Sequence, residues 1–208
     1  KRMGLDYVDI FYHHINDPDT PVEETALALD HITKQGKALY VGISNYNTEQ
    51  TKEIQKIFKE LRTPFILNQP SYSMLNRWIE TDGLRDYAKE DGFGLAVFSP
   101  LYQGLLTDRY LNGIPEDSRI GKGNTWIKNE LTPKMLEGLN KLNDVAKLRE
   151  QSLAQMALSW TLREDKVTTV LIGASRPEQI VDNVQAAYKT EFSQEQLNKI
   201  EDILNNIR

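Results

Sequence analysis

The sequence predicts an α/β fold of the (β/α)8 barrel class, and three observations point to it. Short apolar runs alternate with amphipathic stretches, and the first four runs start about 30 residues apart, the length of one strand-helix unit. Each run stops at polar residues, as strands do at the functional face of a parallel barrel. Both a doubly wound sheet and a barrel fit that alternation; no G-x-G-x-x-G follows any run, as the doubly wound dinucleotide-binding sheet requires, and this favours the barrel. The first run, Leu5-Asp6-Tyr7-Val8-Asp9-Ile10-Phe11-Tyr12-His13-His14, begins within five residues of the N-terminus, so the chain reads as the latter part of a larger protein.

Strands are expected over residues 7–14, 38–44, 65–69, 94–100 and 168–175, each as a buried parallel strand. Helical spacing covers 22–35, ending at Gly36, then 48–61, and 83–90, ending near Gly92. Thr20-Pro21-Val22-Glu23-Glu24 offers a capping Thr, Pro at the first helical position and acids in the first turn. Asn47 or Thr48 caps the second helix. Over 101–131 the pattern breaks at Gly104, Gly113, Pro115, Gly121, Gly123 and Asn124; a connection that long serves as a lid or binding loop. Helices over 133–150, 152–163, 177–188 and 193–207 complete the chain, the last opened by a capping box of Ser193 and Gln196.

The 208 residues are 39% apolar and 26% charged, enough for one core, so 1–208 reads as part of a single domain. Net charge is -5 and the lysines are interspersed with acids, which argues against nucleic acid as a partner. The absence of cysteine rules out disulfides and thiolate metal sites and suits a reducing cytoplasm. No apolar run approaches the ~20 residues of a membrane span, and the stretch after Lys1-Arg2-Met3-Gly4 is too short for a signal peptide, so no membrane insertion is expected. No metal-ligand cluster is visible.

The strand ends, His13-His14, Ser44-Asn45, Asn68-Gln69, Ser99 and Ser175-Arg176, place a ring of hydrogen-bonding groups on one barrel face. A ligand with several amide or phosphate groups suits such a ring. The His14 imidazole there can donate to a carbonyl oxygen or relay a proton, or it can be a buried histidine satisfied by backbone. Strand alternation turns His13 to the opposite side, and His31 sits mid-helix as a surface residue. Gly173-Ala174-Ser175-Arg176-Pro177-Glu178 is either a plain turn with a Ser cap or an anion site where N–H groups, a hydroxyl and a guanidinium converge. Its place after the last strand favours phosphate. Trp160 reads as core, Trp78 as a pocket wall and Trp126 as a lid contact. Asp9 reads as a buried acid needing a partner.

Gly4-Leu5-Asp6-Tyr7-Val8-Asp9-Ile10 with His14, Gly42-Ile43-Ser44-Asn45, Asn68-Gln69-Pro70, Phe98-Ser99-Pro100-Leu101 with Gly104-Leu105-Leu106-Thr107, and Ile172-Gly173-Ala174-Ser175-Arg176-Pro177-Glu178-Gln179 together resemble the aldo-keto reductase family. Asn76-Arg77-Trp78 and Tyr110-Leu111-Asn112-Gly113-Ile114-Pro115 are similar to the branch holding bacterial L-glyceraldehyde-3-phosphate reductases and potassium-channel beta subunits. The resemblance implies a (β/α)8 barrel that binds NADPH without a Rossmann motif, with this chain supplying strands four to eight. By the same likeness His14 orients the substrate carbonyl, and Ser44, Asn45 and Gln69 hold the nicotinamide carboxamide. Ser99, Pro100, Leu101, Gln103 and Gly104 lie beside the pyrophosphate, with Arg109 facing the phosphates. Gly173, Ser175, Arg176, Gln179, Asp182 and Asn183 match the 2′-phosphate and adenine end. The family's Asp, Tyr and Lys of the catalytic tetrad have no match here, and Tyr7, Tyr12, Tyr40 and Tyr72 do not replace them.

The expected function is NADPH-dependent reduction of small aldehydes by the full-length protein, with this stretch inactive alone. The alternative is an NADPH-binding regulatory subunit of a membrane channel. Strand edges open at 8–12 and 169–172 also predict self-association into homo-oligomers.

Overall fold

In the computed structural model residues 3–207 are described; Lys1 and Arg2 of the basic start, and Arg208, lie outside them. β-branched and aromatic runs give strands β1 (Val8–His13), β2 (Ala38–Ser44), β3 (Phe65–Gln69), β4 (Gly94–Val97) and β5 (Thr169–Val170), joined in one sheet in the order β1-β2-β3-β4-β5. β1 to β4 pair in parallel, with Ile10 opposite Tyr40, Ser44 opposite Gln69 and Asn68 opposite Leu95. The expected alternation of strand and helix is present: α1 (Val22–Lys34), α2 (Thr48–Leu61), a short α3 (Trp78–Thr81) and α4 (Leu84–Asp91) fall between these strands.

The chain divides into two compact units, the first made of 1–71, 78–98 and 166–169. In it Val41, Ile43 and Tyr46 pack against Ala26 and Leu29 of α1 and Ile54 and Phe58 of α2. Burial of each such side chain contributes about 1.5–3 kcal/mol. Phe65 stacks on Phe58 at 5.6 Å between ring centres and touches Phe93 from its other side, which fastens β3 to the same core. α2 starts in a full capping box, with the Asn47 side chain accepting from the Gln50 N–H and the Gln50 side chain accepting from the Asn47 N–H. Asn47 rather than Thr48 is thus the cap; the Thr48 hydroxyl donates to Asp82 instead.

The second unit comprises 72–77, 99–165 and 170–208. It holds α5 (Thr125–Glu130), α6 (Pro133–Leu148), α7 (Leu153–Leu162), α8 (Pro177–Val184) and α9 (Gln194–Ile207). Trp160 of α7 is core as expected: Tyr72 stacks on its ring at 5.6 Å and the Arg163 guanidinium lies 3.5 Å from the ring centre. The buried Arg149, past the end of α6, donates to the Glu191 and Lys189 carbonyls and to Gln196, tying the helix ends together. A Cβ at Gly138 would collide with the Ile207 side chain, so α6 and α9 approach closely at a residue that lacks one. α7 opens in a capping box of Ser152 and Gln155, and α9 in the expected one of Ser193 and Gln196.

Several boundaries differ from the expectations. α1 begins at Val22 with Pro21 in the cap position and no side-chain cap, because the Thr20 hydroxyl donates to Asp17 at 2.7 Å. Asp9 is exposed, not buried: β1 is an outer strand, and its side chains alternate between exposed and half-buried. β4 ends at Val97 because Ser99 takes a left-handed backbone (φ 56) that leaves the sheet. The strand expected over 168–175 is a strand only at Thr169–Val170, and 171–175 carries no strand assignment. The helix expected over 177–188 is α up to Val184 and 3-10 after it.

Candidate active site

The predicted residues fall into one group in each unit. In the first unit β1, β2 and β3 run parallel and end within a residue of one another, which sets His14, Ser44, Asn45 and Gln69 at neighbouring strand ends. Gly42 lacks the Cβ that would sit 3.0 Å from the Tyr12 ring, so Tyr12 lies across β2 on the face Gly42 leaves open. Alternation puts His13 on the opposite face, against Tyr46 in the helix-side core, and returns His14 to the Tyr12 side. His14 is exposed, and among the described residues no side chain hydrogen-bonds its imidazole. The reading of His14 as a buried, backbone-satisfied histidine therefore does not apply.

Beside it, the buried Ser44 hydroxyl donates to the Gln69 carbonyl at 2.8 Å, and Asn45 Nδ2 donates to Ser44 Oγ at 3.1 Å. The Asn45 N–H also donates to the Gln69 carbonyl at 3.2 Å. Asn45 holds φ 58, a left-handed conformation that Asn tolerates better than most residues, and this turns the chain off β2. Asn45 Oδ1 and the Gln69 side-chain amide have no hydrogen-bond partner among the described residues. They form a donor and acceptor set complementary to an amide.

Behind these residues lies a second, buried layer that sequence reading missed. The Tyr46 hydroxyl is 2.6 Å from His13 Nδ1, with the two rings edge to face at 5.8 Å. Asn68 Nδ2 donates to the Tyr46 carbonyl at 2.9 Å and to Thr51 Oγ1 at 3.1 Å. Burial pushes the Tyr46 phenol up to about 12, so it stays protonated. Burial also lowers His13, against the pull of Asp17 and with the push of His14. With the imidazole neutral and its proton on Nε2, the Tyr46 O–H donates to Nδ1. An aromatic residue after Ser-Asn was the available signal, but nothing local reveals that its hydroxyl meets His13.

The second unit contains a cleft of about 980 Å³, at the upper end of the range for small-molecule sites. The predicted Ser99, Pro100, Leu101, Gln103, Gly104 and Arg109 line it, as do Gly173, Ser175, Arg176, Gln179, Asp182 and Asn183. Positive φ at Ser99, Tyr102, Gln103 and Gly104 curls the first segment into a tight loop. The second segment is prefolded too: the Ser175 N–H and hydroxyl both donate to Gln179 Oε1, at 2.8 and 3.2 Å, and Asp182 accepts from Gln155 at 2.8 Å. The long connection supplies further lining residues that sequence reading did not name, Asp117, Arg119 and Lys122.

The cleft carries four cations, Arg109, Arg119, Lys122 and Arg176, beside three acids, Asp108, Asp117 and Asp182. Arg109 pairs with Asp117 at 2.7 Å, and that guanidinium holds the Asp117 carboxyl below the usual carboxylate range. Arg119 donates to Gln103, while Arg176 and Lys122 have no ion-pair partner among the described residues. Arg176 stands at the start of α8, whose first N–H groups and dipole favour an anion. Trp126 is exposed and touches the ring of Tyr102 at 5.4 Å, and Trp78 is half-buried with Nε1 donating to Ser71 at 3.3 Å.

Arg176 at the start of α8, in a cleft of this size, fits a phosphorylated ligand, and the free amides of Asn45 and Gln69 fit a carboxamide. Residues 1–205 match the aldo/keto reductase family, and the chain belongs to that family, whose reductases use nicotinamide cofactors. It is 52% identical over 206 residues to L-glyceraldehyde 3-phosphate reductase of Escherichia coli K12, covering 97% of this chain and 59% of that protein. It is 37% identical over 212 residues to a Schizosaccharomyces pombe protein named as a voltage-gated potassium channel subunit beta, covering 99% of this chain and 61% of that one. Among solved structures, a glycerol dehydrogenase from Gluconobacter oxydans superposes with TM-score 0.75 at 27% identity, over 98% of this chain and 60% of that one. A thermostable aldo-keto reductase in complex with the inhibitor epalrestat shares the fold, with TM-score 0.72 at 24% identity over 97% of this chain and 62% of that one. The five-stranded parallel α/β sheet is thus part of an aldo-keto reductase barrel, and the chain spans about 60% of the length of the curated relatives it matches.

Proposed function

We propose that residues 1–208 are the C-terminal part of a single barrel domain, and that the whole protein reduces small aldehydes, such as glyceraldehyde 3-phosphate or methylglyoxal, with NADPH. The observation that carries this reading is the gathering of the predicted phosphate and adenosine residues, from Ser99 to Asn183, around one cleft. When bound, NADPH supplies the hydride. Ser44, Asn45 and Gln69 receive the carboxamide, and Ser99, Pro100, Leu101, Gln103 and Gly104 lie along the pyrophosphate with Arg109. Arg119 and Lys122 add charge there. Gly173, Ser175, Arg176, Gln179, Asp182 and Asn183 hold the 2′-phosphate and adenine. His14 donates an N–H to the substrate carbonyl and orients it for attack.

In the whole protein, NADPH consumption is expected with a panel of small aldehydes; no turnover with any of them would refute the reading. The 208-residue chain alone is expected to be inactive, since no residue in it matches the family's proton-donating Tyr. The second reading, a regulatory subunit of a membrane channel, draws on the S. pombe relative. It predicts NADPH binding with slow reduction and co-purification of a membrane protein, whereas rapid turnover without such a partner favours the enzyme. Among the described residues no helix is long and apolar enough to cross a membrane.

Self-association is also expected of the isolated chain. Tyr7 and Phe11 stand exposed along the outer strand β1, next to Met3 and Leu5. In the second unit Ile180, Val181, Val184 and Tyr188 form an exposed apolar stripe along α8 and the turn after it. Light scattering should report oligomers; a monodisperse monomer at micromolar concentration would contradict this.

A further inference from the structure

The last residue of β1 to pair with β2 is His13, opposite Ile43, and His14 lies one residue beyond. What fixes the direction of that end is a side chain. His13 Nδ1 sits 2.6 Å from the hydroxyl of the fully buried Tyr46, whose ring belongs to the core with Ile43, Ile54 and Phe58. Tyr46 is itself pinned, since its carbonyl accepts from the buried Asn68.

We propose that His13, through its hydrogen bond to Tyr46, is a positioning residue that aims the imidazole of His14 at the substrate carbonyl. The inference rests on the reading of His14 given above. Holding the His13 ring fixes the backbone between the two histidines, and with it the direction in which the His14 side chain leaves the strand. Without that anchor, a residue past the last ladder pair of its strand samples several directions, and a misplacement of about 1 Å at a reacting centre costs about 100-fold in rate.

The test uses the whole protein with NADPH and glyceraldehyde 3-phosphate, comparing Tyr46→Phe, His13→Ala, His13→Asn and His14→Ala. Tyr46→Phe removes one oxygen and keeps the ring in the core. Expected are about 10- to 100-fold falls in kcat for Tyr46→Phe and His13→Ala, with unchanged KM and Kd for NADPH, and substantial recovery in His13→Asn, whose amide can meet the phenol. Unchanged kcat in Tyr46→Phe overturns the proposal, and so does a parallel loss of kcat and NADPH affinity, which marks a scaffold role. Full turnover in His14→Ala removes the underlying reading of His14 and the proposal with it. A dead His14→Ala beside a fully active Tyr46→Phe overturns the positioning role alone.

Discussion

Replacement of His14 by Ala in the whole protein is expected to lower kcat for aldehyde reduction by about 10²- to 10⁴-fold, the usual worth of a positioned proton-handling side chain. The loss should appear in kcat with NADPH affinity unchanged, because His14 is proposed to contact the substrate carbonyl and does not line the cleft proposed for the phosphates and adenosine. His14 is exposed and makes no side-chain hydrogen bond among the described residues, so its removal leaves no buried group unpaired and costs the fold little. Steady-state kinetics with a fluorescence titration of NADPH checks both parts. A kcat within twofold of the parent would exclude any role for His14 in the reaction.

Arg176→Ala is expected to weaken NADPH binding by about 10- to 150-fold and to leave NADH binding unchanged. The estimate corresponds to the ~1.5–3 kcal/mol of a hydrogen bond to a charged group. Arg176 sits in an extended conformation at the start of α8, ahead of Pro177, with no ion-pair partner among the described residues. Its guanidinium is therefore available, and the prefolded Ser175-Gln179 corner keeps the neighbouring hydroxyl and N–H groups in place without it. A phosphate there meets a planar fork of donors that NADH, with a 2′-hydroxyl, does not use. Equal Kd values of the parent for the two cofactors would refute the 2′-phosphate assignment, and an equal loss for both in the variant would move Arg176 to the pyrophosphate.

Much of the candidate site was readable in the sequence because its residues sit at strand ends and helix starts, where local patterns announce them. Ser44-Asn45, Asn68-Gln69 and Ser175-Arg176 each close an apolar run, and the residues from Ser99 to Asn183 read as one binding group do line one cleft. The cleft residues of the long connection were not readable. Arg119 and Lys122 lie in a stretch without periodicity, where nothing in the local sequence says which side chain turns inward. Asn68 was read for its place beside Gln69, yet it points into the buried layer and holds Tyr46.

The sequence by itself determined the strand and helix order, the cap at Ser193, and which residue types stand at the ends of the strands, while it left Asn47 and Thr48 both open as the cap of α2. These are local properties: hydrophobic period, cap chemistry and the punctuation of glycine and proline act over a few residues. Folding settled the rest. The extent of the last strand, the exposure of Asp9 in this chain, and the pairing of His13 with Tyr46, which lies two residues past the end of β2, were settled only by the tertiary structure. Each of these is a contact between segments distant in sequence, whose partners are chosen by packing and hydrogen-bond satisfaction and leave no periodic trace in either segment.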